Sequence, residues 1–122
     1  MAHIICIANP DAVMETRRLI LQRAGHDIHA VHNLKEMERA CQTQQYDLAI
    51  LADALPDMEK MRIADVIRKA CPALRVLELH TGLVPTVSDA DAQLQVSASR
   101  PEGLVEAVAA ALKTSRKEKT QS

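Results

Sequence analysis

Two short stretches, residues 4–8 (IICIA) and 46–52 (YDLAILA), are nearly continuous apolar runs; the first is closed at once by Asn9-Pro10 and the second, two residues on, by Leu55-Pro56. A strand with apolar residues on both of its sides has no face to offer water, so both runs read as central strands of a sheet covered on both faces. Each is followed by helical periodicity. After the first, Asp11 is placed as an N-cap ahead of Val13, Thr16, Ile20 and Ala24, and Gly25 supplies a left-handed stop. After the second, a helix from about residue 58 to 70 carries Ile63, Val66, Ile67 and Ala70 on its inner stripe and is stopped by Cys71-Pro72, with Asp57 read as its cap.

The rest of the chain fits between and after these steps. Residues 27–31 form a weaker strand with interleaved histidines, and Asn33 with Glu36 makes a capping box ahead of Leu34, Met37 and Cys41. Residues 74–79 read as a fourth strand. Ala92, Leu94, Val96 and Ala98 alternate with polar residues as an edge strand does, and Ser99, Pro101 and Glu102 open a last helix with Leu104, Val105, Val108 and Leu112 as its stripe. Strands alternating with helices require parallel pairing through right-handed crossovers, which gives an α/β, doubly wound sheet. Ligands of such sheets sit at the carboxyl ends of the strands, here just past Ile7, Leu51, Leu79 and Val96.

Length and charge remove several functions. The 122 residues leave room for one domain, residues 1–112, followed by a flexible basic tail, residues 113–122, that begins KTSRKEK. With one tyrosine and no phenylalanine or tryptophan, the core is aliphatic and there is no platform for stacking bases; a net charge of −1 with both signs dispersed gives nucleic acid no electrostatic hold. No basic region precedes a long apolar stretch and no segment reaches spanning length, so neither membrane nor secretion is expected and a cytoplasmic location is. Cys6, Cys41 and Cys71 have no CxxC spacing and fall in apolar-periodic segments, which predicts three reduced, buried thiols.

Against this background, Gly25-His26-Asp27-Ile28, Asn33 with Glu36, and Tyr46-Asp47-Leu48-Ala49-Ile50-Leu51 through Leu55-Pro56-Asp57-Met58 resemble the middle of a response-regulator receiver domain. Thr81-Gly82 is similar to that family's step after its fourth strand, and Ser99-Arg100-Pro101-Glu102-Gly103-Leu104 to the start of its last helix. The resemblance implies a flavodoxin-like, five-stranded sheet of order 2-1-3-4-5, and a bacterial two-component role in which a histidine kinase passes a phosphoryl group to an aspartate at the end of the third strand. Such chemistry needs a carboxylate nucleophile, further acids to hold Mg²⁺, a lysine to neutralise charge and a hydroxyl to sense the phosphate.

The corresponding positions here are depleted. The resemblance places the phosphoacceptor on Ala52, whose methyl group cannot accept a phosphoryl group, and the acidic pair near Ala8 and Asn9. Ser97 stands at the lysine position, and Thr81 alone keeps its type. Asn9, Ala52, Asp53, Thr81 and Ser97 thus outline a vestigial pocket with too little charge for Mg²⁺, and no cofactor is expected. Asp53 lies one residue past the acceptor position, and one step along a strand turns a side chain to the opposite face, so it reads as a turn or helix-start carboxylate. The stretch from Thr81 to Ser97 is shorter than the family's, and residues 83–89 (LVPTVSD) carry a proline and little helical period, which predicts a fourth helix that is reduced or missing.

The expectation is a non-enzymatic, atypical receiver that acts through a protein partner (a histidine kinase, an output protein or its own copy) without aspartate phosphorylation. Two alternatives remain open at this level: a crevice near Asn9, Thr81 and Ser97 that binds a small ligand, and a working phosphoacceptor at Asp53. His80, at the pocket mouth, could titrate near neutrality or meet an anion. His29 and His32 stand three apart on a strand, on opposite faces, and are read as surface histidines rather than metal ligands.

Overall fold

The computed structural model describes residues 2–96 and 100–113. Its elements run β1 (His3–Ile7), α1 (Ala12–Arg23), β2 (Asp27–Val31), α2 (Leu34–Thr43), β3 (Leu48–Leu51), α3 (Asp57–Ala70), β4 (Arg75–His80), β5 (Ala92–Gln95) and α4 (Pro101–Lys113). The strands pair in parallel in the order β2-β1-β3-β4-β5. Register is continuous across the centre: Ile7 pairs with Val31 on one side and Leu51 on the other, and Leu51 with Glu78. The sheet order and the parallel pairing are those expected from the sequence.

Burial follows the apolar runs. Ile4, Ile5, Ile7, Leu48, Ile50, Leu51, Leu77 and Leu79 are all less than 2% exposed, with Met37, Ile63 and Ile67 closing over them from α2 and α3. Each such side chain contributes about 1.5–3 kcal/mol of burial. Contacts pair α1 with α4 and α2 with α3, one pair to each side of the sheet, as right-handed crossovers require.

The caps explain where the helices begin. Asp11 accepts the Met14 amide at 2.9 Å, and Asn33 accepts the Glu36 amide at 2.9 Å while the Glu36 carboxylate reaches back to the His32 amide. Gly25 takes φ +97° after α1, a conformation that costs an L residue about 1–2 kcal/mol. Nothing lies within 4 Å of a Cβ built there. Gly25→Ala is therefore expected to lose about 1 kcal/mol or slightly more through backbone conformation alone, read from urea unfolding midpoints; an unchanged midpoint would sink that account.

Three expectations need correction. Asp57 does not cap α3: Pro56 holds the N-cap position with no side-chain cap bond, and the Asp57 carboxylate accepts the Thr86 hydroxyl at 2.8 Å. The proline ring fixes φ at the observed −59°, which with ψ 148° leads the chain into the helix without a capping oxygen. The cysteines are not three thiols. Cys41 and Cys71 form a disulfide, because α2 and α3 lie side by side and bring their Cα atoms to 6.3 Å, whereas Cys6 is free and buried. Burial pushes the Cys6 thiol up to about 11, against the smaller opposing pull of the Arg17 charge. Finally, β5 ends at Gln95 rather than near Ala98, and Val96 already leaves the strand. The segment from Thr81 to Asp91 holds no helix, as its composition predicts. Of the tail expected over residues 113–122, Lys113 ends α4 and residues 114–122 lie outside the described residues, as do Ser97, Ala98 and the expected cap Ser99.

Candidate functional site

The carboxyl ends of β1, β3 and β4 come together through the pairing of the central strands. The Ala52 amide donates to the Ile7 carbonyl at 3.0 Å and the Ala8 amide to the Val31 carbonyl at 3.1 Å, which extends the ladder one residue past each strand. Ala8 and Ala52 are buried, at 3% and 4% exposure, so the floor between β1 and β3 is made of methyl groups. Asn9 is exposed beside it, its carbonyl turned to the Asp11 amide at 2.9 Å.

Asp53 is the nearest carboxylate along the chain, and it is occupied. Arg17, reaching up from α1, donates from Nη1 to Asp53 Oδ1 at 2.7 Å, and both side chains are about one-fifth exposed (19% and 20%). Its carboxylate thus ties the β3–α3 turn to α1 instead of capping that turn. Thr81 is exposed past the end of β4. His80 Nδ1 lies 2.9 Å from the Gly82 carbonyl, and the Gln95 amide donates to the same carbonyl at 3.0 Å, so His80 serves to fold the loop back over β5. Among the described residues no group of three or more His, Cys, Asp or Glu side chains is placed to hold a metal ion.

The polar centre that sequence reasoning missed lies beneath the segment that lacks a helix. Glu78, in the middle of β4, is 0% exposed, and Lys60 on α3 is 2% exposed. Lys60 Nζ donates to Glu78 Oε2 at 2.9 Å and to the Leu79 carbonyl at 2.7 Å. Glu78 also accepts the Thr86 amide at 2.9 Å and the Val87 amide at 2.7 Å. Burial alone raises a carboxyl, yet the Lys60 hydrogen bond, the two amides and the Lys60 charge outweigh it and hold Glu78 below its ordinary range. A signal was present. Glu78 is the one charged residue between the apolar Val76, Leu77 and Leu79, and Lys60 precedes Ile63 and Ile67 at inner-stripe spacing, so each needed a partner in the interior.

This anchor holds the loop of residues 81–91 against α3 without filling a helix's place. Met58, Met61, Arg62, Thr86, Val87 and Asp89 border an open groove of about 420 Å³. Met58 and Met61 are 70% and 58% exposed, and Leu83 and Val84 on the loop are 94% and 79% exposed. Large apolar side chains this exposed mark a contact surface more often than an ordinary face.

Solved structures share this architecture. A response regulator receiver domain protein from Methanospirillum hungatei superposes with a TM-score of 0.77 at 17% identity, covering 100% of this chain and 99% of that one. The receiver domain of a sensor histidine kinase from Pseudomonas aeruginosa, solved with magnesium coordinated in its active-site cleft, gives 0.79 at 12% identity over 93% of this chain and 98% of that one. A response regulator of Thermotoga maritima, solved in complex with a histidine kinase, gives 0.65 at 24% identity over 77% and 84%. At these identities what is shared is the fold, the flavodoxin-like sheet of receiver domains. No family model matches the sequence, and no curated protein sequence matches it. Among the described residues no helix is long and apolar enough to cross a membrane.

Proposed function

We propose that this chain is a receiver-like signalling module of the cytoplasm that works by contact with a protein partner and does not run the aspartyl-phosphate switch. The observation that carries the reading is the end of β3: a buried methyl group at Ala52, followed by a carboxylate at Asp53 that is committed to Arg17. Phosphoryl transfer to aspartate requires a carboxylate free to attack in line, with cations gathered on the phosphoryl oxygens. An acid held at 2.7 Å by a guanidinium on α1 is a poor nucleophile, since its lone pairs and its charge are already engaged.

Output by contact fits the exposed apolar side chains of α3 and its neighbouring loop, and the Thermotoga neighbour in complex with a histidine kinase illustrates the class of partner. No catalytic role is proposed for any residue. The test is intact-mass spectrometry of the wild type and Asp53→Asn after incubation with Mg²⁺ and acetyl phosphate. No phosphorylated mass is expected for either protein. A phosphoryl adduct on the wild type that Asp53→Asn abolishes would mean that Arg17 releases the carboxylate and that the domain is a working phospho-switch.

A further inference from the structure

The Cys41–Cys71 bridge lies far from the strand ends discussed so far. Cys41 sits in the last turn of α2, and Cys71 caps α3, its amide donating to the Ile67 carbonyl at 2.8 Å. Both are half-buried, and both line an open cleft of about 440 Å³ at the amino end of the sheet, together with Gln44, Tyr46, Pro72 and Arg75. A reagent can therefore approach the sulfurs from solvent.

We propose that Cys41 and Cys71 are a reversible thiol–disulfide site, operated from this cleft by a dithiol or its oxidised form, that locks and releases the α2–α3 pair. The exchange balances without any other reactant. A thiolate of the dithiol attacks one protein sulfur, the protein S–S bond breaks and a mixed disulfide forms; the second thiol of the reagent then displaces it. The products are two protein thiols and a cyclised disulfide, with two electrons and two protons transferred, and the oxidised reagent drives the reverse.

Two observations, together with the proposed location on which this inference rests, favour a switch over a permanent staple. Cytosolic disulfides are mostly transient, and the cytoplasmic placement proposed above puts this one among them. The only other cysteine, Cys6, is buried in the sheet with its thiol pushed up to about 11, so it offers no thiolate to scramble the pair. The end of α2 is otherwise closed by local bonds: Gln44 leaves the helix in an extended conformation with its amide on the Ala40 carbonyl at 3.0 Å, and the Thr43 hydroxyl donates to the Arg39 carbonyl at 3.1 Å and the Ala40 carbonyl at 3.4 Å. A ten-residue helix is marginal on local bonds alone, so loss of the bridge frays the last turn, beyond the buried Met37 and Ala40, first.

The experiment combines native alkylation by iodoacetamide, read by intact mass, with amide hydrogen exchange on the full chain. Air-exposed protein is expected to take up no alkyl group, dithiothreitol-treated protein two, and protein returned to oxidised dithiothreitol none. Reduction should abolish protection at the amides around Cys41–Gln44 and Cys71–Leu74, while β1 and β3 stay strongly protected, their slowest amides losing only the roughly 10²–10³-fold that the lower global stability carries. Cys41→Ser should show the reduced pattern permanently, with one alkyl group taken up at Cys71 whether or not reductant is present. Alkylation at two sites before reduction, unchanged exchange after it, or complete loss of protection in β1 and β3, as in an unfolded chain, would each overturn the proposal; the last would identify an indispensable staple.

Discussion

Lys60→Met is expected to lower the unfolding free energy by about 3–5 kcal/mol, because it leaves the Glu78 carboxylate in the interior without its cation. Methionine nearly matches the lysine stem in length, so the loss is electrostatic rather than a cavity. Urea unfolding followed by circular dichroism at neutral pH measures it; a loss below about 1 kcal/mol would show that the two amides of Thr86 and Val87 are enough to hold the charge. The double variant Lys60→Met/Glu78→Leu should recover part of the deficit but not all of it, since an ion pair replaced by apolar groups is often neutral whereas the two loop amides lose their acceptor.

The same pair sets a pH dependence whose sign follows from the depressed carboxyl. A group whose folded pKa lies below its unfolded value adds stability above the unfolded pKa and loses it as pH falls through the folded one. The unfolded reference for Glu78 is 4.5, so the wild type should weaken as the solution is acidified below that value. In Lys60→Met the isolated, buried carboxyl prefers its proton, so the gap between variant and wild type should narrow with acid. A gap that stays constant from neutral pH down to the acid range would contradict this assignment.

Reduction of the disulfide is expected to cost about 3–4 kcal/mol of global stability and about 10–15 °C in the melting temperature. The figure follows from the 30-residue separation of Cys41 and Cys71: the bridge denies the unfolded chain the conformations of a loop of that size. Thermal melts with and without a phosphine reductant give the value, and Cys41→Ala/Cys71→Ala should reproduce the reduced curve without added reagent. A shift of only a few degrees would mean that the bridge closes a loop already ordered in the unfolded ensemble. A loss of this size leaves most small domains folded, which is the condition for a bond that can be opened and closed in use.

The sheet was legible because its central strands are buried on both faces. IICIA at the start of the chain and LAIL before Ala52 have one plausible solution, and the caps at Asp11 and Asn33 mark the following helices by side-chain chemistry confined to four residues. The missing helix after β4 was legible for the converse reason, as Pro85 and the polar spacing around it offer no stripe. What stayed hidden depends on which helices share a face. Cys41 meets Cys71 only because α2 and α3 pack together, a fact of crossover handedness that no local spacing encodes. Asp57 looked like a cap by position, yet Pro56 starts the helix and the loop from β4 takes the carboxylate. Lys60 and Glu78 sat in plain view as charges on apolar stripes; recognising them required treating each as half of a pair.

Tyr46 is the only aromatic residue of the chain, and it stands in the wall of the cleft that holds both bridged sulfurs, its hydroxyl against His29 Nδ1. Its near-ultraviolet absorption and emission therefore come from one place. Light reports on the amino end of the sheet, beside the bridge, and is blind to Ala52, Asp53 and the groove beside α3 at the other end. Burial, followed by the charge of Asp27, raises the phenol above its ordinary range, so the phenolate band also develops later in an alkaline titration than it would for a free tyrosine. The chain thus has a single near-ultraviolet ring chromophore, set in the wall of the cleft that both bridged sulfurs line, with no tryptophan or phenylalanine to add background.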